Sequence, residues 1–190
     1  LTGGGGAGSG GSGAGGGGGE TTTTPCGSDT TSDPENCGAC GHSCLGGACQ
    51  SSVCQPVVVD QVPGSIPYGL AQNATTLFWS DLQFGVIHAV GKDGSAPTVL
   101  AAGLSDPANV AVSQGKVYWA DTTENTVGRV PIAGGAPEVV ATGQDGAVGV
   151  AADEQSVYWT NYTSGSVMKI DAAGGAPTLL GWGDLPRTIV

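Results

Sequence analysis

From Val57 onward, apolar residues come in short runs, and Gly, Asp, Asn or Pro interrupts them every few positions. In the stretch 109–113, Val110 and Val112 alternate with their neighbours and share one face of a strand. The stretches 116–122, 126–132 and 138–142 supply three further strand-like runs. Gln114-Gly115, Glu124-Asn125 and Gly134-Gly135-Ala136-Pro137 separate the four with residues suited to tight hairpins. The last turn recurs as Asp93-Gly94-Ser95-Ala96-Pro97 and as Gly174-Gly175-Ala176-Pro177. No stretch sustains a helical period, so the pattern predicts an all-β fold.

The second run of each unit carries a motif. Leu77-Phe78-Trp79-Ser80-Asp81, Val117-Tyr118-Trp119-Ala120-Asp121 and Val157-Tyr158-Trp159-Thr160-Asn161 lie 40 residues apart and hold three of the four tryptophans. Adjacent aromatics point to opposite faces of a strand, so Phe78 and Trp79, Tyr118 and Trp119, and Tyr158 and Trp159 each ask for burial on both sides. A sheet with one wet face cannot provide that. Four-stranded blades stacked around an axis can, and about 40 residues is a usual blade length.

Phe78-Trp79-Ser80-Asp81, Tyr118-Trp119-Ala120-Asp121 and Tyr158-Trp159-Thr160-Asn161 resemble the Tyr-Trp-Thr-Asp repeats of the low-density-lipoprotein-receptor-type β-propellers. The resemblance spans residues 57–190, with units at 67–106, 107–146 and 147–185. It implies a structural role for the acidic residue, whose side chain bonds backbone within and between blades: Asp81 and Asp121. Asn161 departs from the pattern and carries no charge. The family closes its ring with about six blades, and this chain supplies about three. Residues 57–66, with Val57, Val58 and Val59 leading to Pro63-Gly64, read as a strand, the outer strand of a shared blade. Residues 186–190 begin the inner strand of a fourth. Such an arc exposes two edges and two apolar faces, so a truncated chain or self-association is expected rather than a soluble monomer.

The front of the chain has a different composition. Residues 1–25 form a Gly/Ser/Thr-rich linker, with 13 of the 36 glycines in the first 19 positions and the Thr21–Thr24 run before Pro25. Lacking apolar side chains, this segment is expected to be a flexible tether. Leu1-Thr2-Gly3 resembles the residues before a bacterial lipoprotein cysteine, with Gly4 where that cysteine would stand. Residues 26–56 hold all six cysteines: Cys26, Cys37, Cys40, Cys44, Cys49 and Cys54. With almost nothing else to bury, this module is expected to be held by three disulfides, whose pairing is left open. A zinc site at Cys37, Cys40, His42 and Cys44 is the weaker reading, since a second spaced pair is missing. A redox Cys-x-x-Cys lacks its strand and helix, and haem attachment fails because His42 follows Cys40 one residue too late. The run from Asp33 to Cys44 resembles a small cysteine-rich module of secreted myxobacterial-type surface proteins, which implies a place outside the cytoplasm.

Charge narrows the function. A net charge of −11, with every Lys and Arg at or beyond Lys92, argues against nucleic acid and anionic membranes. No apolar run of about 18 residues exists to span a bilayer as a helix. The chain does not begin with Met and shows no leader, so it reads as processed or as a fragment. No residues assemble into a catalytic, cofactor or metal set. His88 lies in a strand-like run without a nucleophile elbow, and no calcium loop occurs. The sequons Asn73-Ala74-Thr75 and Asn161-Tyr162-Thr163 matter only in a source that glycosylates asparagine. The reading is a non-catalytic binding or structural propeller, secreted or tethered at a surface. Its partner is a protein, a polysaccharide or a copy of itself, and it needs no cofactor. The alternative is a propeller-type lyase or lactonase with its site in further blades, since the inner strands here offer only Tyr68, Asn73, Asn109 and Ser113.

Overall fold

Turn chemistry fixes the meander. Gln114 and Gly115 both sit at positive φ, 47° and 69°, the geometry of a two-residue hairpin. Gly85, Asn125 and Gly165, spaced by the repeat, have φ of 60°, 57° and 74°. They are residue types that enter the left-handed region readily, and there they close the turn between second and third strands. The computed structural model describes residues 29–189. Among them are fourteen strands and no helix. β1 (Cys49–Gln50) and β2 (Val53–Cys54) form a small hairpin. The first blade contains β3 (Pro67–Gln72), β4 (Thr76–Asp81), β5 (Val86–Gly91) and β6 (Thr98–Ala101). The second contains β7 (Pro107–Ser113), β8 (Lys116–Asp121), β9 (Thr126–Pro131) and β10 (Glu138–Ala141). The third contains β11 (Ala147–Ala152), β12 (Ser156–Asn161), β13 (Ser166–Asp171) and β14 (Thr178–Trp182). Each blade is an antiparallel sheet in which strands adjacent in sequence pair.

The paired aromatics face two ways. Phe78, Ile87 and Ala89 of the first blade pack with Val110, Val117, Trp119 and Val130 of the second. On its other side the second blade presents Tyr118, Ala120 and Val127 to Val150, Val157, Trp159 and Ile170 of the third. The aromatic of one motif therefore receives the tryptophan of the next. Burial of these large side chains supplies most of the driving force, about 1.5–3 kcal/mol for each fully buried one.

Close approach fixes two glycines. A Cβ on Gly69 would lie 2.7 Å from the carbonyl of Ala108, where the inner strands meet. At Gly128 it would lie 2.4 Å from the Trp119 ring, which lies across the glycine its strand pairs with. Polar ties reinforce the seams. The Ser80 hydroxyl donates to the Ala108 carbonyl, Thr122 Oγ1 to the Ala147 carbonyl at 2.9 Å, and Arg129 to the Ala172 carbonyl at 2.9 Å.

Residues 57–66 correct the expectation of a strand there: they form none. A strand needs a neighbour to accept its backbone bonds, and among the described residues the backbone of 57–61 has none, while Ile66 is held by Leu82 and Asp81. It crosses the face of the first blade that points away from the second. In the cysteine module, Cys37 pairs with Cys49 and Cys44 with Cys54, and Cys40 is also disulfide-bonded. The linker 1–25, the Thr21–Thr24 run, Cys26 and Val190 lie outside the described residues.

Candidate functional site

The motif's acidic residue is where sequence suggested a role, and geometry supplies its chemistry. Asp81, at the end of β4, has no exposed surface. Its Oδ1 accepts the backbone N–H groups of Ile66 (3.2 Å), Gln83 (2.9 Å) and Phe84 (3.2 Å), and its Oδ2 accepts the Ser65 hydroxyl. Asp121 repeats the arrangement with the N–H groups of Ser105 (3.0 Å), Asp106 (3.2 Å) and Glu124 (3.0 Å). Each carboxylate thus ties the connector that enters its blade to the turn that leaves the blade's second strand. Burial works against the Asp81 charge, but donation from Ser65, Ile66, Phe84 and Gln83 outweighs it and holds the pKa below the ordinary carboxylate value. Asp106 moves the other way, raised by burial and then by the negative charge of Asp121.

Asn161 solves the same joint without charge. Its Nδ2 donates to Gln144 Oε1 (3.2 Å) and to Ser166 Oγ (2.9 Å), while its buried Oδ1 has no partner among the described residues. The same Gln144 oxygen accepts Trp159 Nε1 at 2.8 Å, and Gln144 Nε2 donates to the Thr142 carbonyl at 2.8 Å. Gln144 escaped the sequence reading. It stands 40 residues after Leu104 and 40 before Asp184, so no recurring residue type marked the position in the sequence.

No family model matches the sequence, and no curated protein matches it significantly. The fold is nonetheless shared with solved structures. A chain of a nidogen/laminin complex matches with a TM-score of 0.63 and 19% identity, covering 68% of this chain and 54% of that one. A streptogramin B lyase matches with a TM-score of 0.59 and 16% identity over 68% and 46%. The calcium-binding protein regucalcin from Agrobacterium tumefaciens matches with 0.55 and 21% over 67% and 49%. The architecture is that of β-propeller blades in an incomplete ring. At these identities the likeness is one of fold, and the chain spans about half the length of the structures it matches.

The two end faces of the arc differ. On the first blade, Leu77, Trp79, His88 and Val90 look away from the second blade. The His88 ring stacks on Trp79 with centroids 4.8 Å apart and planes 14° from parallel. Val59, Val62 and Ser65 pass over this face and enclose a cavity of about 520 Å³ with Tyr68, Leu70, Leu77 and Trp79. Tyr68 and Leu70 remain 55% and 68% exposed at its rim. A second cavity, about 410 Å³, opens between Cys44 and Leu45 of the cysteine module and Val57, Leu77 and Val90. On the third blade, the Tyr158 hydroxyl donates to Asp153 at 3.0 Å. The Arg187 guanidinium lies 4.3 Å over the Tyr162 ring and donates to its hydroxyl at 2.9 Å. Residues 187 and 188 pass against Gly149 as 108 and 109 pass against Gly69.

The candidate residues of the inner strands do not converge. Tyr68 is on β3, Asn109 and Ser113 are on β7, and Asn73 lies in the turn joining β3 to β4, not in a strand. Asn73 Oδ1 accepts the N–H groups of Thr75 (2.9 Å) and Thr76 (2.8 Å), and the Ser113 hydroxyl donates to the Asp153 carbonyl at 2.8 Å. Among the described residues no serine hydroxyl bonds to His88. The sulfurs of Cys37, Cys44 and Cys49 cluster within 4.8 Å, but disulfides occupy all three. Of the described residues, no helix is long and apolar enough to cross a membrane.

Proposed function

We propose that this chain is the blade-bearing part of a binding or structural protein that works in an oxidising compartment, outside the cell or at its surface. Its partner is a protein, met through blade surfaces, and no chemistry is performed on it. The observation that carries this reading is the commitment of the motif's polar groups. Asp81 and Asp121 spend their acceptors on backbone and Ser65. His88 is stacked on Trp79, while the large side chains of Tyr68 and Leu70 stand more than half exposed. Disulfides in the module support the compartment. The matched chain of the nidogen/laminin complex was solved bound in that complex, which supports protein binding by this architecture.

The competing reading is catalysis in the manner of the streptogramin-type lyases, favoured by the matched lyase folds. The test incubates the protein with quinupristin, with and without magnesium or calcium, and follows the ligand by mass spectrometry. A catalytically inactive virginiamycin B lyase from Staphylococcus aureus was solved with this compound. The expected result is unchanged quinupristin. Turnover above a protein-free control sinks the binding reading. In parallel, cross-linking to the cell-surface fraction of the source is expected to join residues around Tyr68 and Leu70 to a protein. Tyr68→Ser with Leu70→Ser is expected to reduce that yield.

A further inference from the structure

The three tryptophans of the motif meet different neighbours on the third strand of their blades. The positions paired with Trp79, Trp119 and Trp159 hold His88, Gly128 and Met168. His88 stacks on Trp79, and Met168 packs against the core that contains Trp159. Gly128 offers no side chain, and the Trp119 ring lies over it. Beside that ring a groove of about 370 Å³ remains open between the first and second blades, clear of both end faces of the arc. Ligand sites begin at about this size, roughly 300–1,000 Å³.

Two polar groups at this groove are left unused. Trp159 Nε1 donates to Gln144 Oε1 at 2.8 Å. The residue 40 positions before Gln144 is Leu104, which has no acceptor to offer, and Trp119 Nε1 finds none among the described residues. Trp119 is 3% exposed, yet its N–H is not sealed into the core, where the orphaned side-chain atom is Asn161 Oδ1. It opens onto the groove that its ring lines. Buried indole donors are ordinarily paired, so an unpaired one beside a groove points to an acceptor from outside. The second group is Glu124. Its carboxylate lines the groove and accepts the Ser105 hydroxyl, but it has no cationic partner among the described residues, whose ion pair is Arg129–Glu138. Its backbone N–H is held by Asp121, which fixes the turn that carries it. Leu104, Pro137 and Val139 add apolar wall, and Val139, opposite Gly128, is 62% exposed.

We propose that this groove binds an extended segment of a partner protein that carries an arginine. A backbone carbonyl of the segment accepts the Trp119 N–H, the aliphatic stem of the arginine lies along Leu104 and Val139, and its guanidinium pairs with Glu124. Charge selects this occupant. The chain has a net charge of −11, and no Lys or Arg is among the residues that line the groove. A guanidinium suits the site better than an ammonium, because it is planar, more weakly hydrated and meets a carboxylate through two parallel bonds. The proposal rests on the binding reading only in taking a protein as the partner, and it names that partner's chemistry at a surface separate from Tyr68 and Leu70. Turnover of quinupristin would refute the binding reading without moving the Trp119 signal that tests this one.

The full chain, labelled with nitrogen-15, is titrated with the acetylated and amidated peptide Ala-Ala-Arg-Ala-Ala, and the indole N–H signals of its four tryptophans are followed by NMR. Trp119→Phe assigns the Trp119 signal. A saturable shift at Trp119 is expected. The same peptide with citrulline for arginine, which keeps the shape and loses the charge, is expected to bind about fivefold more weakly. Glu124→Gln should abolish that difference, because its amide oxygen keeps the Ser105 bond without the charge. Leu104→Gln supplies within the chain the acceptor that Gln144 gives Trp159, so the Trp119 signal should move without peptide and stop responding to it. Four results overturn the proposal. The first is no Trp119 shift up to the solubility limit of the arginine peptide. The second is equal affinity for the arginine and citrulline peptides, which makes the occupant a neutral segment. The third is a difference between them that survives Glu124→Gln. The fourth is a Trp119 shift in peptide-free protein that grows with concentration, which makes the occupant a second copy. If Leu104→Gln does not fold, Glu124→Gln, whose backbone N–H still meets Asp121, carries the comparison.

Discussion

Replacing Asp121 with alanine removes the acceptor shared by Ser105, Asp106 and Glu124 at 3.0, 3.2 and 3.0 Å, at a residue with 2% exposure. A buried donor left unpaired costs about 1–3 kcal/mol. Three donors set an upper limit near 9 kcal/mol, but the connector lies close enough to the surface for water to reach part of it. A loss of about 3 kcal/mol is therefore expected for Asp121→Ala. With a urea slope of roughly 2 kcal/mol per molar for a protein of this size, the midpoint falls by about 1.5 M. Asp121→Asn retains one acceptor oxygen but turns an amide N–H₂ toward a backbone donor, so its loss is expected at about 2 kcal/mol. Asn161→Ala removes two neutral donor bonds, to Gln144 and Ser166, and is expected to cost about 1–2 kcal/mol. Urea unfolding followed by tryptophan fluorescence gives the midpoints. Hydrogen exchange at Ser105, Asp106 and Glu124 locates the effect. An Asp121→Ala midpoint within about 0.3 M of the parent, with these amides no faster, would refute the claim that the carboxylate holds the joint.

Other measurements check the remaining structure. Gly128→Val drives a side chain into the Trp119 ring, since even a Cβ would lie 2.4 Å away; a loss of about 1–3 kcal/mol with a changed near-ultraviolet signal is expected, and an unchanged midpoint contradicts the packing. Acid titration should show the Asp81 contribution: its folded pKa is depressed, so its stabilisation is complete above the unfolded carboxylate value of about 4 and is lost as pH falls through the lower folded value. Relative to the parent, Asp81→Asn should therefore be destabilised at pH 7 and lose that deficit in strong acid; a deficit independent of pH excludes the charge. Asp106 has the opposite sign, because its raised pKa means that folding disfavours its charge. Asp106→Asn should raise the melting temperature at pH 7 and have no effect below about pH 4. Reduction should unfold the cysteine module, whose Cys37–Cys49 and Cys44–Cys54 bridges close loops with separations of 12 and 10 residues. Each is worth about 3 kcal/mol by loop entropy, and the blades, which contain no cysteine, should keep their exchange protection.

Some of this protein was written locally along the chain. Val110 and Val112, the turn residues Gln114-Gly115 and Asn125, and motifs 40 residues apart gave strands, hairpins and blade length, because alternation and turn preference depend on neighbours in sequence. The two-way demand of Tyr118 and Trp119 even gave the stacking. Other features waited for the tertiary structure. Which cysteines pair, and that Gln144 holds both Trp159 and Asn161, depend on side chains brought together across loops, and no local rule ranks those meetings. Residues 57–60 show the boundary most clearly. Their sequence has the strand character of β6, β10 and β14, yet a strand is a relation between two backbones. Only the arrangement in space showed that these residues have no backbone partner among the described residues.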